Sequence, residues 1–330
     1  TDNIIGTPDD SHINVTYESK VQAIFITVQA LVAQVYRQHD PGYGQQCLEA
    51  ARRCWQANKQ EGSAVDLGWW LIAAVEFDRA VGGNSQYGSA VPVLAQKLLA
   101  LQNKEYIGSQ KMVRGFWMAE QNKPYNSAYF PATMPQALME AVLAYPNHPD
   151  AGLWRDAVRR NLEDYVTPLC QRSVYGIMPL GVFLNPPDTV QYRPLAGEMV
   201  YRYFDPYLVH GEWAGAVNAH VLGYAVMLAR AAEVFQDRNY RNLAYRHLEW
   251  VMGANPFGAC LMSGEGFRNP YPFSVLTGLI PGGIMNGISG TSRDVPVLSY
   301  ECGTDYRTCE YWSPHNAYYE WALSLLEKTS

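Results

Sequence analysis

Three times along this chain a helical run ends on an aromatic residue, turns tightly, and reopens on a tyrosine followed by residues at four-residue spacing. Val35-Tyr36 leads over a short turn to Tyr43, with Cys47, Ala51 and Trp55 behind it. Phe77 leads over a glycine-rich turn to Tyr87, Val91, Ala95 and Leu99. Val234-Phe235 leads over Asp237-Arg238-Asn239 to Tyr240, Ala244, Leu248 and Met252. A spacing of four keeps side chains on one helix stripe, so each unit reads as an αα-hairpin whose two helices share an apolar seam. One hairpin cannot bury all its faces. Several must stack in a solenoid or close into a ring.

The same periodicity extends over nine segments: 17–38, 43–57, 64–81, 90–102, 134–145, 154–169, 213–235, 240–252 and 313–326. Pro and Gly punctuate the gaps, as at Asp40-Pro41-Gly42 and Gly82-Gly83-Asn84. No strand series stands out. The expected fold is therefore all-α, a toroid of helical hairpins in one domain over 1–330. Three connections, 103–131, 171–212 and 253–309, are far longer than ordinary loops, and long loops on one scaffold commonly build a cleft.

Composition narrows the function. Apolar residues make up 48% and charged ones 17%, enough for a large core. A net charge of −6 argues against nucleic acid and anionic membrane surfaces, and no apolar run approaches the roughly 18–20 residues of a membrane-spanning helix. The 23 tyrosines and 9 tryptophans suit carbohydrate, because sugar C–H faces pack on rings while hydroxyl and indole N–H groups bond hydroxyls. Large helical cores use the same residues. The chain starts at Thr1 with no signal-peptide pattern, which reads as a mature or cleaved product, and the sequon Asn14-Val-Thr16 permits glycosylation. A secreted, extracellular location is expected. Cys302 and Cys309 flank a short loop and could bridge, whereas Cys47 and Cys54 lie a heptad apart on one helix, too far to pair.

From Trp213 onward the order of features is specific. A long helix and Tyr240-Arg241-Asn242-Leu243-Ala244 precede Trp250-Val251-Met252-Gly253-Ala254-Asn255-Pro256-Phe257-Gly258. Ser263-Gly264-Glu265-Gly266 and Pro281-Gly282-Gly283 follow, and Cys309-Glu310 stands six and seven residues before Asn316-Ala317. This series resembles the closing part of a family-9 glycoside hydrolase catalytic domain. Val35-Tyr36 to Ala51 and the opening Thr1 to Asp10 resemble that family's middle hairpin and the loop before it. The resemblance implies a six-hairpin (α/α) barrel lacking its first one to two hairpins, with Glu310 as general acid of an inverting, cellulase-like hydrolase. The family's base lies in an Asp-Ala-Gly-Asp motif that this chain does not contain. The base is therefore expected from a separate segment or second chain completing the barrel. The family's His-His-Arg substrate motif falls near Arg268-Asn269-Pro270, where no His occurs.

Residue chemistry supplies the remaining candidates. Hydrolysis of a glycoside needs two carboxyl groups across the scissile bond. Glu310 is the first, expected to line the largest cleft, with helix capping as its plainer role. Glu301 and Asp305 are nearby carboxylates for which loop anchoring is the commoner fate, and Asp205 and Asp305 are the first internal carboxylates to test as base should the chain cleave a glycan unaided. Trp117, Tyr125 and Tyr129 form an aromatic loop suited to a sugar platform. Tyr207 and Trp213, beside His210 and Glu212, suggest a cleft rim, and Arg268, Trp312 and His315 are further substrate candidates, although His315 also fits a core histidine. Asp2, Asn3, Asp9 and Asp10 offer the hard oxygens that a structural Ca²⁺ takes, but their spacing fits no defined loop and turn chemistry accounts for them. No cofactor and no metal site is expected. The expected ligand is an oligo- or polysaccharide. A non-catalytic carbohydrate-binding or structural toroid, and a polysaccharide lyase using Tyr or His, remain open beside the hydrolase.

Overall fold

Capping chemistry decides where the helices begin. The computed structural model describes residue 7 and residues 16–107, 113–120, 123–127, 129–186, 190–206, 217–273, 278–300 and 305–328. Helix α1 (Ser19–Tyr36) hands over to α2 (Pro41–Ala57) at Asp40, whose side chain accepts the Tyr43 amide at 2.9 Å, with Pro41 in the first turn. Helix α3 (Ala64–Ala80) opens on a capping box between Ser63 and Asp66. The second oxygen of Asp66 accepts the Lys20 amide at 2.9 Å, so one carboxylate caps α3 and tethers the start of α1. Ser85 caps α4 (Gln86–Ala100) and is itself held by Asp78, which also accepts the Tyr145 hydroxyl at 2.7 Å.

The three tyrosine-led turns close by ring contact. Tyr36 meets Tyr43 edge-on at 5.1 Å, Phe77 stacks on Tyr87 at 3.8 Å, and Phe235 meets Tyr240 edge-on at 6.0 Å. The later helices are α5 (Thr133–Ala144), α6 (Ala151–Asn161), α7 (Thr167–Arg172), α8 (Val217–Phe235), α9 (Arg238–Val251), α10 (Tyr306–Cys309) and α11 (Ser313–Lys328). Each of the nine expected segments holds a helix, residues 213–216 of the seventh lying outside the described residues. The one over 154–169 departs from a plain α-helix, passing through a π turn at Leu162–Val166 before α7. Pro168 has no N–H to give the carbonyl of Asp164, four residues back, and the Arg114 amide takes that carbonyl instead at 3.2 Å. Gly115, at φ +88°, lets the visiting loop approach: a Cβ there would sit 2.7 Å from the Arg160 carbonyl.

The fold is all-α, a toroid of hairpins. Helices α1, α3, α5, α8 and α11 pack successively as an inner series, while α2, α4, α6 and α9 lie outside them. The core runs along α3, α5 and α8. Trp70, Trp117, Trp154 and Trp250 are buried in it, so much of the tryptophan excess is spent on packing. Among the described residues α11 and α1, the two ends of the inner series, do not pack together as its other neighbours do. Among the described residues no helix is long and apolar enough to cross a membrane.

Small sheets, absent from the sequence pattern, organise the long connections. Met118–Glu120 (β1) pairs with Lys123–Pro124 (β2). Gly181–Leu184 (β3), Arg193–Ala196 (β4) and Met199–Arg202 (β5) form an antiparallel sheet in the order β3-β5-β4. Ser289–Gly290 (β6) pairs with Pro296–Val297 (β7). Arg202 knots the second sheet to the third. Its guanidinium, 1% exposed, donates to the carbonyls of Phe204, Gln191 and Thr291 at 2.8–2.9 Å. Asp294 stands 3.9 Å from it, accepts the Tyr203 and Phe204 amides, and pairs with Arg193 at 2.7 Å. Removing this carboxylate strands a buried cation and two amides. Asp294→Ala is therefore expected to lower stability by about 3–5 kcal/mol, read as a drop in the urea midpoint.

Candidate active site

Glu310 is presented by its backbone before its side chain does anything. Asp305 caps the short helix α10: its carboxylate accepts the Arg307 amide at 3.2 Å and the Arg307 Nε at 3.0 Å. The chain then runs extended through Glu310 (φ −77°, ψ 141°) before α11 begins at Ser313. Residues 284–287 lie alongside this stretch. The Asn286 amide donates to the Glu310 carbonyl and the Gly287 amide to the Thr308 carbonyl, both at 2.9 Å. Gly287, at φ +99°, has no room for a side chain, since a Cβ would meet Asn218 at 2.6 Å.

The Asn286 side chain completes the seat. Its Nδ2 donates to the Tyr306 carbonyl at 2.7 Å, and its Oδ1 accepts from His315 Nε2 at 3.0 Å. Asn316 secures the glycine-rich loop to α11, donating to the Gly282 carbonyl at 2.7 Å and accepting the Ile284 amide at 3.1 Å. The Tyr311 hydroxyl ties in Ser263 at 2.6 Å and the Ile280 amide at 3.2 Å. The matching Asn of the other motif is structural too. Asn255 ends α9 by donating to the Trp250 and Ala259 carbonyls while accepting the Phe257 amide.

Around the carboxylate the structure gathers aromatic rings. Glu310 is half-buried, and its Oε2 accepts the Trp312 indole N–H at 2.7 Å. Trp312 stacks on Tyr129 with ring centres 5.3 Å apart. The Tyr129 loop is held by the Ser127 hydroxyl, which accepts the Tyr129 and Phe130 amides, and by the Tyr318 hydroxyl on the Tyr129 carbonyl at 2.7 Å. Burial pushes the Tyr129 phenol above its ordinary value, and the nearby charges of Asp205 and Glu310 add to the rise. Tyr129 thus lies within electrostatic reach of two carboxylates. Asp205 is positioned by its carbonyl, which accepts the Gly290 amide at 2.8 Å.

The other candidates are dispersed. Trp117 is no platform, because its ring is buried and its indole N–H is used on the Leu98 carbonyl at 3.0 Å. Tyr125 packs against the core, donates its hydroxyl to the Phe130 carbonyl at 3.0 Å, and is pushed up to about 12 by burial. His315 is fully buried on Asn286, a core histidine with no face for sugar. Arg268 is exposed, at φ +55°, and reaches the Phe257 carbonyl at 3.5 Å. Asp305 is committed to its cap. Tyr207, His210, Glu212, Trp213, Glu301 and the Asp2, Asn3, Asp9, Asp10 cluster lie outside the described residues. Cys309 is a buried thiol that donates to the Ser299 carbonyl at 2.9 Å, and Cys302 lies outside the described residues.

Glu310 does not line the roomiest described grooves. One runs along β4 and β5 beside Tyr192 and Arg293, the other between α7 and α9 beside Gln171 and Arg246. A small pocket between α3, α5, α8 and α11, with about 30 Å³ of room, is walled by Trp69, Phe130, Gln136, Gly223, Tyr318 and Trp321. Asn286 and Tyr318 were not singled out from the sequence. A lone Asn in a glycine-rich loop carries no period or spacing that would mark it.

A family model described as "Glycosyl hydrolase family 9" matches residues 10–273, so the match ends before Glu310. No curated protein sequence matches the chain. Among solved structures, the cellulase Cel9M of C. cellulolyticum aligns at TM-score 0.59 and 14% identity, over 95% of this chain and 64% of its own. A metagenome-derived glycoside hydrolase family 9 endoglucanase aligns at TM-score 0.61 and 17% identity, over 93% of this chain and 52% of its own. Endoglucanase CelQ from Clostridium thermocellum, complexed with cellotriose, aligns at TM-score 0.55 and 16% identity, over 94% and 48%. The chain spans about half to two thirds of the length of these structures.

The buried histidines make an acid-stability prediction. Burial lowers His315 to about 3 and His247 to about 4, against an ordinary value of 6.5. Below pH 6.5 the unfolded chain takes up protons at these sites and the folded chain does not, so folding stability falls as pH falls. The slope is about 1.4 kcal/mol per pH unit for each histidine until the folded-state value is reached. Chemical denaturation between pH 7 and 4 should show this decline, and His315→Gln should remove one histidine's share of the slope.

Proposed function

The chain belongs to glycosyl hydrolase family 9, and from that premise we propose that it hydrolyses a β-linked glucan, with Glu310 as the general acid. The observation that supports this reading most is the hydrogen bond from the Trp312 indole to Glu310. It orients a half-buried carboxyl beside the stacked rings of Tyr129 and Trp312. Such rings pack against the C–H faces of sugars. Solved structures similar to this chain hold cellobiose, cellotriose and cellotetraose, and a β-1,4-linked glucose chain is the substrate class we assign. An extracellular setting goes with a polymeric substrate.

In this reading Glu310 gives its proton to the departing glycosidic oxygen while a water attacks the opposite face of the sugar. Inversion needs a second, ionised carboxylate at roughly 6.5–9.5 Å to take a proton from that water. The base is an Asp of a segment outside these 330 residues, since the chain carries no Asp-Ala-Gly-Asp motif and Asp305 is bound up in its cap. Asp205, which shares the surroundings of Tyr129, is the internal carboxylate to exclude.

The test compares Glu310→Gln and Asp205→Asn with the parent in the complete protein. Gln keeps an oxygen for the Trp312 indole but has no proton to donate. Hydrolysis of unactivated cello-oligosaccharides is expected to fall about 10²–10⁴-fold in Glu310→Gln, with cellotetraose binding by calorimetry retained, and to persist in Asp205→Asn. Full turnover in Glu310→Gln would dismiss the assignment. Glycan binding without turnover in the parent would favour a non-catalytic binding protein.

A further inference from the structure

Two rings meet where α11 begins. The His315 amide donates to the Trp312 carbonyl at 3.1 Å, and this tight first turn brings the two side chains together. The imidazole lies nearly parallel to the indole, with 21° between the planes and 6.3 Å between the centres, within the range of an offset stack. Trp312 in turn gives its N–H to Glu310 Oε2 at 2.7 Å. Fully buried, His315 therefore stands one residue removed from the carboxyl.

Hydrogen bonding fixes the state of that imidazole. Asn286 Nδ2 donates to the Tyr306 carbonyl at 2.7 Å, so its Oδ1 is the atom that faces His315 Nε2 at 3.0 Å. An amide oxygen only accepts, and the ring proton therefore sits on Nε2. Nδ1 is buried and has no partner among the described residues. A second proton there would meet no acceptor, and burial opposes the charge as well. The ring is neutral. His247 shows the contrast of a histidine that serves packing, with Nδ1 on the Leu243 carbonyl at 2.7 Å and Nε2 accepting the Met178 amide at 3.1 Å. His315 forgoes one of those two bonds, which costs stability. What it supplies in return is a flat, uncharged ring against Trp312.

We propose that His315 is a positioning residue for the acid: its neutral ring backs the Trp312 indole, the indole N–H holds Oε2 of Glu310, and Oε1 is thereby the oxygen that carries the proton. Among the described residues the Glu310 side chain takes one donor, on Oε2. An indole N–H can only donate, so Oε2 offers it a lone pair and the acidic proton goes to the other oxygen. As the glycosidic C–O bond breaks, Oε1 gives that proton to the departing oxygen. The charge left on the carboxylate is met at Oε2 by an N–H already in place. The role of Oε1 rests on Glu310 being the general acid, as proposed above; the hold of His315 on Trp312 does not.

The test reads a resonance and a pair of rates in the complete protein, its tryptophan indole nitrogens isotope-labelled. The Trp312 N–H resonance, identified by its loss in Trp312→Phe, is expected downfield of a free indole. It should move back toward the free position in Glu310→Gln and also in His315→Gln, which keeps a donor for Asn286 but has no ring. In His315→Gln, kcat on cellotetraose should fall about two- to tenfold, the weight of one ring stack, with KM unchanged. Turnover of a dinitrophenyl cellobioside, whose leaving group departs without a proton, should stay at the parent's rate. Both substrates are assayed on one preparation, so a lowered folded fraction cannot mimic the split. An unmoved Trp312 resonance in His315→Gln would overturn the proposal, and so would an equal fall on both substrates. Full cellotetraose turnover in Glu310→Gln would instead remove the acid and the role of Oε1, while the resonance still decides whether His315 holds Trp312.

Discussion

An inner helix of a toroid can bury its sides only if a neighbour stands on each flank. Helices α3, α5 and α8 have both, and they are buried along nearly their whole length. Tyrosine-led turns make that packing possible by fixing three of the four outer helices, α2, α4 and α9, to their inner partners, through stacked rings at Phe77–Tyr87 and edge contacts at Tyr36–Tyr43 and Phe235–Tyr240. The acid of the site is carried by one end of this series. Helix α1 and helix α11 each have one flank served, and α11 is the helix that Glu310 precedes.

The site end of the ring is built from carbonyls and amides more than from charges. Asn286 joins α10, the extended stretch at Glu310 and α11 through one side chain, with His315 buried behind it. This arrangement explains why two parts of the family-like pattern are an Asn placed after a carboxylate and an Asn placed after a Trp. Asn316 and Asn255 each satisfy backbone groups that a turn leaves open, which a hydrocarbon side chain cannot do. The motif residues around the acid thus act on the backbone, and the acid inherits its position from them. Farther from the ring, Arg202 and Asp294 do the same for the sheets of the long connections, exchanging the lost hydration of two buried charges for main-chain partners.

The helices were legible because their signals are local. Asp40-Pro41, Ser63 with Asp66, and Ser85 are caps that act within a few residues, and a repeat of three and four marks a stripe whatever lies opposite it. Part of the site was legible for a different reason, since Glu310 and Trp312 sit two residues apart and face each other locally. Trp117 and His315 misled because an aromatic or a histidine has the same letter in a core as in a cleft. The strands of two to four residues were invisible because so short a run holds too little period to read.

By itself the sequence determined the all-helical hairpin architecture, the approximate place of each helix and the carboxylate before the last helix. Each depends on residues close together in the chain. Only the tertiary structure decided that Tyr129, 183 positions before Trp312, stacks on it, that Asn286 seats Glu310, and that Arg202 finds carbonyls some ninety residues away. Those pairings arise from which loops the ring brings to one end. Nothing local encodes them, because a side chain's partner across the fold is chosen by shape and unsatisfied polarity once the helices have packed.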